Sequence, residues 1–293
     1  MKKNNFNIIN FLKIYSEDKL ALFFLINLII ILGLVIFGPL ITLQNPYDLS
    51  QLNILDSLLP PLSQAYENNY FLLGTDDQGR DLLSAIIYGL RISLYVGSLS
   101  VIISLIVGII LGVVSAYFGG FVDNFIMRVA DMVLAMPSFL IALVLLSILG
   151  RGLENVVFAL VMSQWATFAR VIRSSALSEK EKDYFYSARC LCLPQSRIIF
   201  GHLLPNCLPP IIVLSTINLA FAITLEASLS FLGVGLPITE PSIGLIISNG
   251  YEYIIVGKYW MSLYPGLFLL ITVVSINIFS DRLRILLNPR LNI

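Results

Sequence analysis

Long apolar runs with few charges are the feature that most restricts how this chain can fold. Of its 293 residues, 57% are hydrophobic and only 12% are charged, whereas a soluble domain usually carries about 25% charged residues. A helix needs about 20 apolar residues to cross the hydrocarbon core of a bilayer. The sequence therefore predicts an all-α, polytopic membrane protein.

Six runs have the length and apolar character of a membrane-spanning helix. They cover residues 20–43, 92–117, 127–149, 152–169, 209–232 and 263–279. The first run is too long for a signal-peptide core and no cleavage motif follows it, so we expect it to remain as an anchor. Pro137 in the third run predicts a kink. Gly108 and Gly112 in the second run predict close helix packing, within the chain or against a partner.

Lys and Arg residues are distributed unevenly between the loops on the two sides. With both termini in the cytoplasm, all but four of the 18 lie inside, which is the bias expected of cytoplasmic loops. The four outside are Arg80, Arg91, Arg151 and Lys258. The expected divisions are cytoplasmic ends at 1–19 and 286–293, a first helix at 20–43, outer loops at 44–91 and 233–262, and a five-helix core at 92–285 with a cytoplasmic loop at 170–208.

The cytoplasmic loop 170–208 is the most informative segment. Residues 183–191 have helix-forming character, and Pro194 suits the first turn of a second short helix over 195–204, which we expect to stop before Pro205. Its apolar side chains favour a partner groove, with a solvated linker as the alternative. These side chains are Tyr184, Phe185, Leu191, Ile198, Ile199 and Phe200.

This loop resembles the EAA coupling loop of ABC importer permeases. Tyr186, Ser187 and Ala188 occupy the E-A-A positions, and residues 202–206 (HLLPN) match the closing H-x-L-P-N. Cys192 stands where the family has a glycine, which permits a tight turn that an L-residue resists. The resemblance implies that an ATPase subunit is contacted through Tyr184, Phe185, Tyr186, Ser187, Ala188, Arg189, Cys192, His202 and Pro205.

Four further segments resemble the second-subunit, or C-type, permeases of dipeptide, oligopeptide and nickel importers. They are residues 73–81 (LGTDDQGRD), 88–94 (YGLRISL), 117–120 (YFGG) and 226–233 (EASLSFLG). The resemblance covers about residues 71–290, and the run 20–43 matches the family's extra first helix. It implies a type I ABC importer permease fold in a bacterial inner membrane. It also implies a second permease subunit, two cytoplasmic ATP-binding subunits and an extracytoplasmic substrate-binding protein.

Other motifs give no catalytic or cofactor site. Residues 74–79 imitate a phosphate loop, but Arg80 and Asp81 follow in place of Lys and Ser/Thr, so we expect an ordered outer loop that caps a helix near Asp81. With no other phosphate loop in the sequence, ATP hydrolysis is expected to reside in a partner. Cys190, Cys192 and Cys207 lack a second ligand pair for zinc and are expected to be packing residues.

Ionisable residues inside spans are costly, at about 2.5–3.5 kcal/mol each. Arg128 and Asp131 are three positions apart and are expected to pair along one helix face. Glu226 is expected near the outer end of the fifth span. A pathway role and a structural role are both open for these residues, and for Glu226 we favour the structural one.

The sequence thus favours a non-catalytic permease subunit for peptides or related small solutes. In this hypothesis residues 183–204 couple closure of the ATPases to alternating access. An ion-gradient-driven secondary transporter or channel is the alternative, and it predicts midplane ionisable residues and internal repeats. An intramembrane enzyme would need a paired catalytic set, which the spans lack. Equal numbers of acidic and basic residues argue against nucleic-acid binding.

Overall fold

The computed structural model describes residues 15, 18–48, 50, 52–66, 70–237, 239–240 and 242–287, so most of both predicted cytoplasmic ends lies outside it. The described part is mostly helical and contains only two short strands, which confirms the all-α class. Its α-helices are α1 (Lys19–Ile41), α2 (Leu82–Phe118), α3 (Gly120–Ala135), α4 (Ser138–Leu149), α5 (Leu153–Lys180), α6 (Asp183–Cys190), α7 (Gln195–Ile198), α8 (Leu204–Phe231), α9 (Ile243–Tyr251) and α10 (Trp260–Leu287). The other elements are a 3-10 turn at Ile54–Asp56, a π-helical turn at Ile199–Leu203 and an antiparallel pair of β1 (Ser63–Gln64) and β2 (Tyr70–Phe71).

The six predicted spans correspond to five long helices and one broken pair. Among the described residues, α1, α2, α5, α10 and the continuous stretch Gln195–Phe231 are long and apolar enough to cross a membrane. The third predicted span is not one kinked helix, because α3 and α4 meet at 90°. Pro137 explains the break: it lacks a backbone N–H and keeps Met136 extended, at φ −98° and ψ 140°.

Several spans are longer than their apolar runs, and two of these extensions involve functional candidates. α2 begins at Leu82, before the predicted start at residue 92, because the Asp81 carboxylate caps it by accepting the Ser84 N–H at 2.9 Å. This confirms the predicted cap. α5 continues to Lys180, so the first part of the predicted cytoplasmic loop, including Arg170 and Arg173, is helical.

The helix predicted to stop before Pro205 instead continues into the membrane. α7 passes into the π-helical turn Ile199–Leu203, and α8 follows directly from Leu204. Pro205 lies in the first turn of α8, where proline is tolerated because its ring is already set for helical φ. The prediction of a stop at this position was therefore wrong.

Small residues on α2 allow α5 to approach closely. A Cβ added at Gly108 would lie 2.3 Å from the Cβ of Phe168, and one added at Gly112 would lie 2.6 Å from the Ala169 carbonyl oxygen. Such contacts are possible only with glycine. The predicted small-residue face therefore packs within this chain.

Residues 74–81, just before α2, form an ordered loop, as predicted. Asp76 and Arg80 are both buried and form an ion pair at 2.6 Å, and Asp76 also accepts the Arg80 N–H at 2.9 Å. The Trp260 indole N–H donates to the Thr75 carbonyl at 3.4 Å, which fixes this loop to the start of α10.

Candidate functional site

α6 leaves the bundle immediately after α5. Its bounds, Asp183–Cys190, match the helix predicted over 183–191. Only Glu181 and Lys182 separate it from α5, and the Lys182 carbonyl accepts the Phe185 N–H at 2.9 Å. Because the connection is this short, a displacement of α6 acts directly on the end of α5.

α6 has one buried face and one exposed face. Phe185 is 1% exposed and Ala188 is 5% exposed, and both belong to an apolar cluster shared with α2, α5 and α8. Tyr186 is 54% exposed and Leu191, at the end of the helix, is 73% exposed. Of the nine residues expected to contact an ATPase, the exposed ones are Tyr186, Ser187, Arg189, Cys192 and Pro205, the half-buried ones are Tyr184 and His202, and the buried ones are Phe185 and Ala188.

The turn after α6 requires a left-handed residue. Cys192 has φ +51°, and its N–H donates to the Arg189 carbonyl at 2.9 Å. The next residue, Leu193, donates to the Ala188 carbonyl at 3.3 Å before Pro194 precedes α7. The left-handed conformation explains why a glycine is suited to this position.

Cys192→Gly is expected to raise the free energy of unfolding by up to about 1 kcal/mol. The left-handed conformation costs an L-residue about 1–2 kcal/mol, and the greater freedom of glycine in the unfolded chain offsets part of that gain. Thermal unfolding in detergent measures the change. Cys190→Gly is the matched control, since that position is helical and should lose about 0.5–1 kcal/mol. A lower midpoint for Cys192→Gly would contradict the argument.

The Tyr184 side chain turns toward the base of the loop. Its hydroxyl donates to Oε2 of Glu179 at 2.7 Å. Burial, followed by the hydrogen bond to the Glu179 carboxylate, raises the pKa of Tyr184 to about 12. The phenol therefore remains a donor at neutral pH. Sequence reasoning did not single out Glu179, because the contact crosses a break between two helices.

Two basic residues fix the C-terminal end of α5 to its neighbours. Arg173 donates to both carboxylate oxygens of Asp123 on α3, each at 2.5 Å. Lys180 Nζ donates to the Ala116 carbonyl in the last turn of α2 at 2.6 Å, where a cation favours the helix C-terminus. The sequence indicated neither contact, since the partners lie 50 and 64 positions apart.

Asp131 does not pair with Arg128 as predicted. Its carboxylate pairs with Arg170 of α5, and both side chains are about half exposed. Arg170 is available because α5 extends past the predicted end of the fourth span. Arg128 is exposed on α3. The ion pair therefore links two helices rather than one face of a single helix.

Glu226 is completely buried in α8, close to the C-terminal end of this helix. The Ser93 hydroxyl of α2 donates to Oε2 at 2.6 Å, and the Ser230 hydroxyl donates to Oε1 at 2.8 Å. The carboxyl thus connects α2 and α8 through the hydrogen bonds that a buried polar group needs, which supports the structural role.

Only one of the three cysteines expected to be packing residues is buried. Cys207 is buried in the apolar cluster below α6, whereas Cys190 and Cys192 are exposed, because they lie on the outer side of α6 and in the turn after it. In the described ranges, no three His, Cys, Asp or Glu side chains are placed to hold a metal.

Known permeases are similar to this chain over nearly its whole length. Dipeptide transport system permease protein DppC of Haemophilus influenzae is 36% identical over 277 residues, covering 94% of this chain and 92% of that protein. DppC of Escherichia coli is 39% identical over 278 residues, covering 94% and 91%. Oligopeptide transport system permease protein OppC of Bacillus subtilis is 34% identical over 277 residues, covering 94% and 88%.

The fold is that of a type I ABC importer permease, as predicted. A chain of the inward-facing MetNI methionine ABC transporter superposes with a TM-score of 0.57 at 18% identity, over 71% of this chain and 98% of that chain. Residues 10–61 match the N-terminal TM domain of oligopeptide transport permease C, and residues 104–293 match the family described as binding-protein-dependent transport system inner membrane component. The protein therefore belongs to the binding-protein-dependent transport system inner membrane components, a family of multi-pass permeases.

Proposed function

We propose that the chain is a permease subunit of an ATP-driven peptide importer, with both termini in the cytoplasm. The relatives, which are dipeptide and oligopeptide transport permeases, support the class of solute. The bias of Lys and Arg residues toward one side supports the orientation. Since the sequence has no phosphate loop of its own, hydrolysis belongs to two partner ATPases.

The observation that carries the proposal is the two-faced α6 at the loop end of α5. Its buried face is held by Phe185 and Ala188, while its other side exposes Tyr186 and Leu191. An exposed aromatic and an exposed aliphatic side chain outside the spans suit an apolar groove on an ATPase, and tyrosine is among the residues that most often dominate binding energy at interfaces.

Coupling follows from how α6 is attached. When the ATPases close on ATP, α6 moves with them and displaces the inner ends of α5 and α8. This shifts the equilibrium between the inward-facing and outward-facing arrangements of the helices, because the closed ATPases bind one arrangement better than the other. A second permease completes the passage, and a substrate-binding protein delivers peptide to the outer loops.

The test is reconstitution of the chain with and without its partners. Affinity purification of the tagged chain should retain ATPase subunits. Proteoliposomes of the complete complex should import peptide only with ATP on the α6 side and binding protein on the other side. The chain alone should import nothing under an imposed proton or sodium gradient. Accumulation by the chain alone would instead support the secondary transporter and overturn the proposal.

A further inference from the structure

A groove of about 440 Å³ lies between α5, α8 and α10, near the N-terminal end of α8 and the C-terminal end of α10. Its lining is aliphatic apart from one charged side chain, Arg284. An apolar groove with a single cation suits a ligand that has an apolar body and one anionic group. The lining residues are Val171, Pro209, Pro210, Val213, Leu214, Ile217, Arg284 and Leu287.

Arg284 is exposed and has no ion-pair partner in the described part of the chain. Asp281 lies one turn earlier on α10 but forms no ion pair with it. A guanidinium stays charged at neutral pH, and its planar set of N–H donors matches a phosphate group. The basic residues that do form ion pairs there are Arg80, Arg170, Arg173, Lys182 and Arg282.

The positions of these residues along their helices place the groove across the edge of the hydrocarbon. Arg284 follows Trp260, the first residue of α10, by about 36 Å of helix at 1.5 Å per residue. The hydrocarbon core is about 30 Å thick and Trp is common at its boundary, so Arg284 lies at the level of the opposite headgroups. On α8, Ile217 is about 20 Å from the start of the helix and therefore lies among the acyl chains.

The first turns of α8 offer backbone acceptors beside the groove. Pro209 and Pro210 have no N–H, so the carbonyls of Pro205 and Asn206, four residues earlier, lose their usual helical donors. Pro205 and Asn206 are exposed, and a backbone acceptor in a membrane needs a donor from another source. The hydroxyl groups of a glycerol headgroup are suitable donors.

We propose that this groove binds one anionic phospholipid, with its phosphate at Arg284 and an acyl chain along Val213 and Ile217. Basic pockets between the cytoplasmic ends of spans are suited to anionic headgroups. A lipid is favoured over a small soluble anion, because a small anion would leave the aliphatic wall of α8 uncovered. Binding itself needs no ATPase, and only the assignment to the cytoplasmic leaflet rests on the proposed function.

Native mass spectrometry of the purified chain tests the headgroup contact. In detergent with equal amounts of phosphatidylglycerol and of diacylglycerol with the same acyl chains, the wild type should retain phosphatidylglycerol at least about tenfold better, as one charge-assisted hydrogen bond allows. Arg284→Gln should lose most of this preference, and Arg284→Lys should keep most of it. Arg128→Gln removes an exposed cation from α3 and is the matched control, which should behave like the wild type.

A second pair of variants tests the acyl-chain contact. Ile217→Trp fills the groove and should lower the retention of both lipids severalfold. Ile106→Trp, at a 52% exposed position on α2, is its control and should leave retention unchanged. Equal lipid preference in the wild type and Arg284→Gln, or unchanged retention in Ile217→Trp, would overturn the lipid site.

Competition distinguishes a lipid from the other occupants of such a groove. Displacement by glycerol phosphate would show an anion site without an acyl chain, and displacement by alanyl-alanine would show a part of the solute passage. Loss of the lipid on assembly with a partner permease would show a contact between subunits. Each of these results would overturn the lipid site. Import of peptide by the complete complex without ATP would reject the proposed function, and lipid retention would still report on the groove.

Discussion

The double variant Tyr186→Asp/Leu191→Asp is expected to abolish peptide uptake and to release the ATPase subunits. Both side chains are exposed, at 54% and 73%, so a charge there costs the folded chain little. In the proposed complex both enter an apolar groove, where an unpaired carboxylate is strongly unfavourable. Since each 1.4 kcal/mol is tenfold, loss of two central contacts should weaken ATPase binding by at least about tenfold.

Recovery of ATPase subunits on affinity purification measures this effect, together with uptake in proteoliposomes. The matched control is Tyr66→Asp/Leu72→Asp, which places the same charges at 75% and 55% exposed positions in the loop before α2. That loop lies at the opposite end of the spans, so this control should retain the ATPases. Full ATPase recovery by the α6 variant would show that its exposed face is not the docking surface.

The distinction between exposed and buried faces of α6 was not available from the sequence. The loop pattern placed Phe185 and Tyr186 together among the expected contacts, yet Phe185 is 1% exposed and Tyr186 is 54% exposed. A helix of eight residues has too few positions for its apolar period to define a face. The face is set instead by the apolar cluster of α2, α5 and α8 on which α6 lies.

Features that depend on neighbouring residues could be predicted. The apolar runs located the spans, and Asp81 was identified as a helix cap because the capping interaction reaches only three residues along the chain. The tight turn at Cys192 was expected only from the glycine that the resembling family has at this position, and the φ of +51° agrees with that expectation.

Features that depend on the approach of separate helices could not be predicted from the sequence. Asp131 has a basic residue three positions away in Arg128, but the folded chain offers Arg170 from α5 instead. The Arg173 and Asp123 pair has the same origin, because α3 and α5 meet only after the spans have packed. Spacing along one helix identifies candidate partners for an ion pair, but the packing of separate helices determines which partner the residue pairs with.

Gly108→Leu is expected to have the second large effect, a loss of folded protein, because it disturbs the packing of α2 on α5. A Cβ at this position would lie 2.3 Å from the Phe168 Cβ and 3.0 Å from the Ala169 backbone nitrogen, so one of the two helices must shift. Overpacking of this kind costs about 1–3 kcal/mol, and more where backbone is the obstacle. We expect little folded protein, with thermal unfolding and size-exclusion chromatography in detergent as the measurements.

Gly33→Leu on α1 is the control that separates steric overlap from the loss of a glycine. A Cβ at Gly33 has no neighbour within 4 Å in the described structure, so leucine should be accommodated and should favour the helix. If Gly108→Leu folds as well as Gly33→Leu, then α2 and α5 are not held at the observed distance. The polar contacts of Arg173 with α3 and of Lys180 with α2 would in that case carry more of the attachment of the C-terminal end of α5.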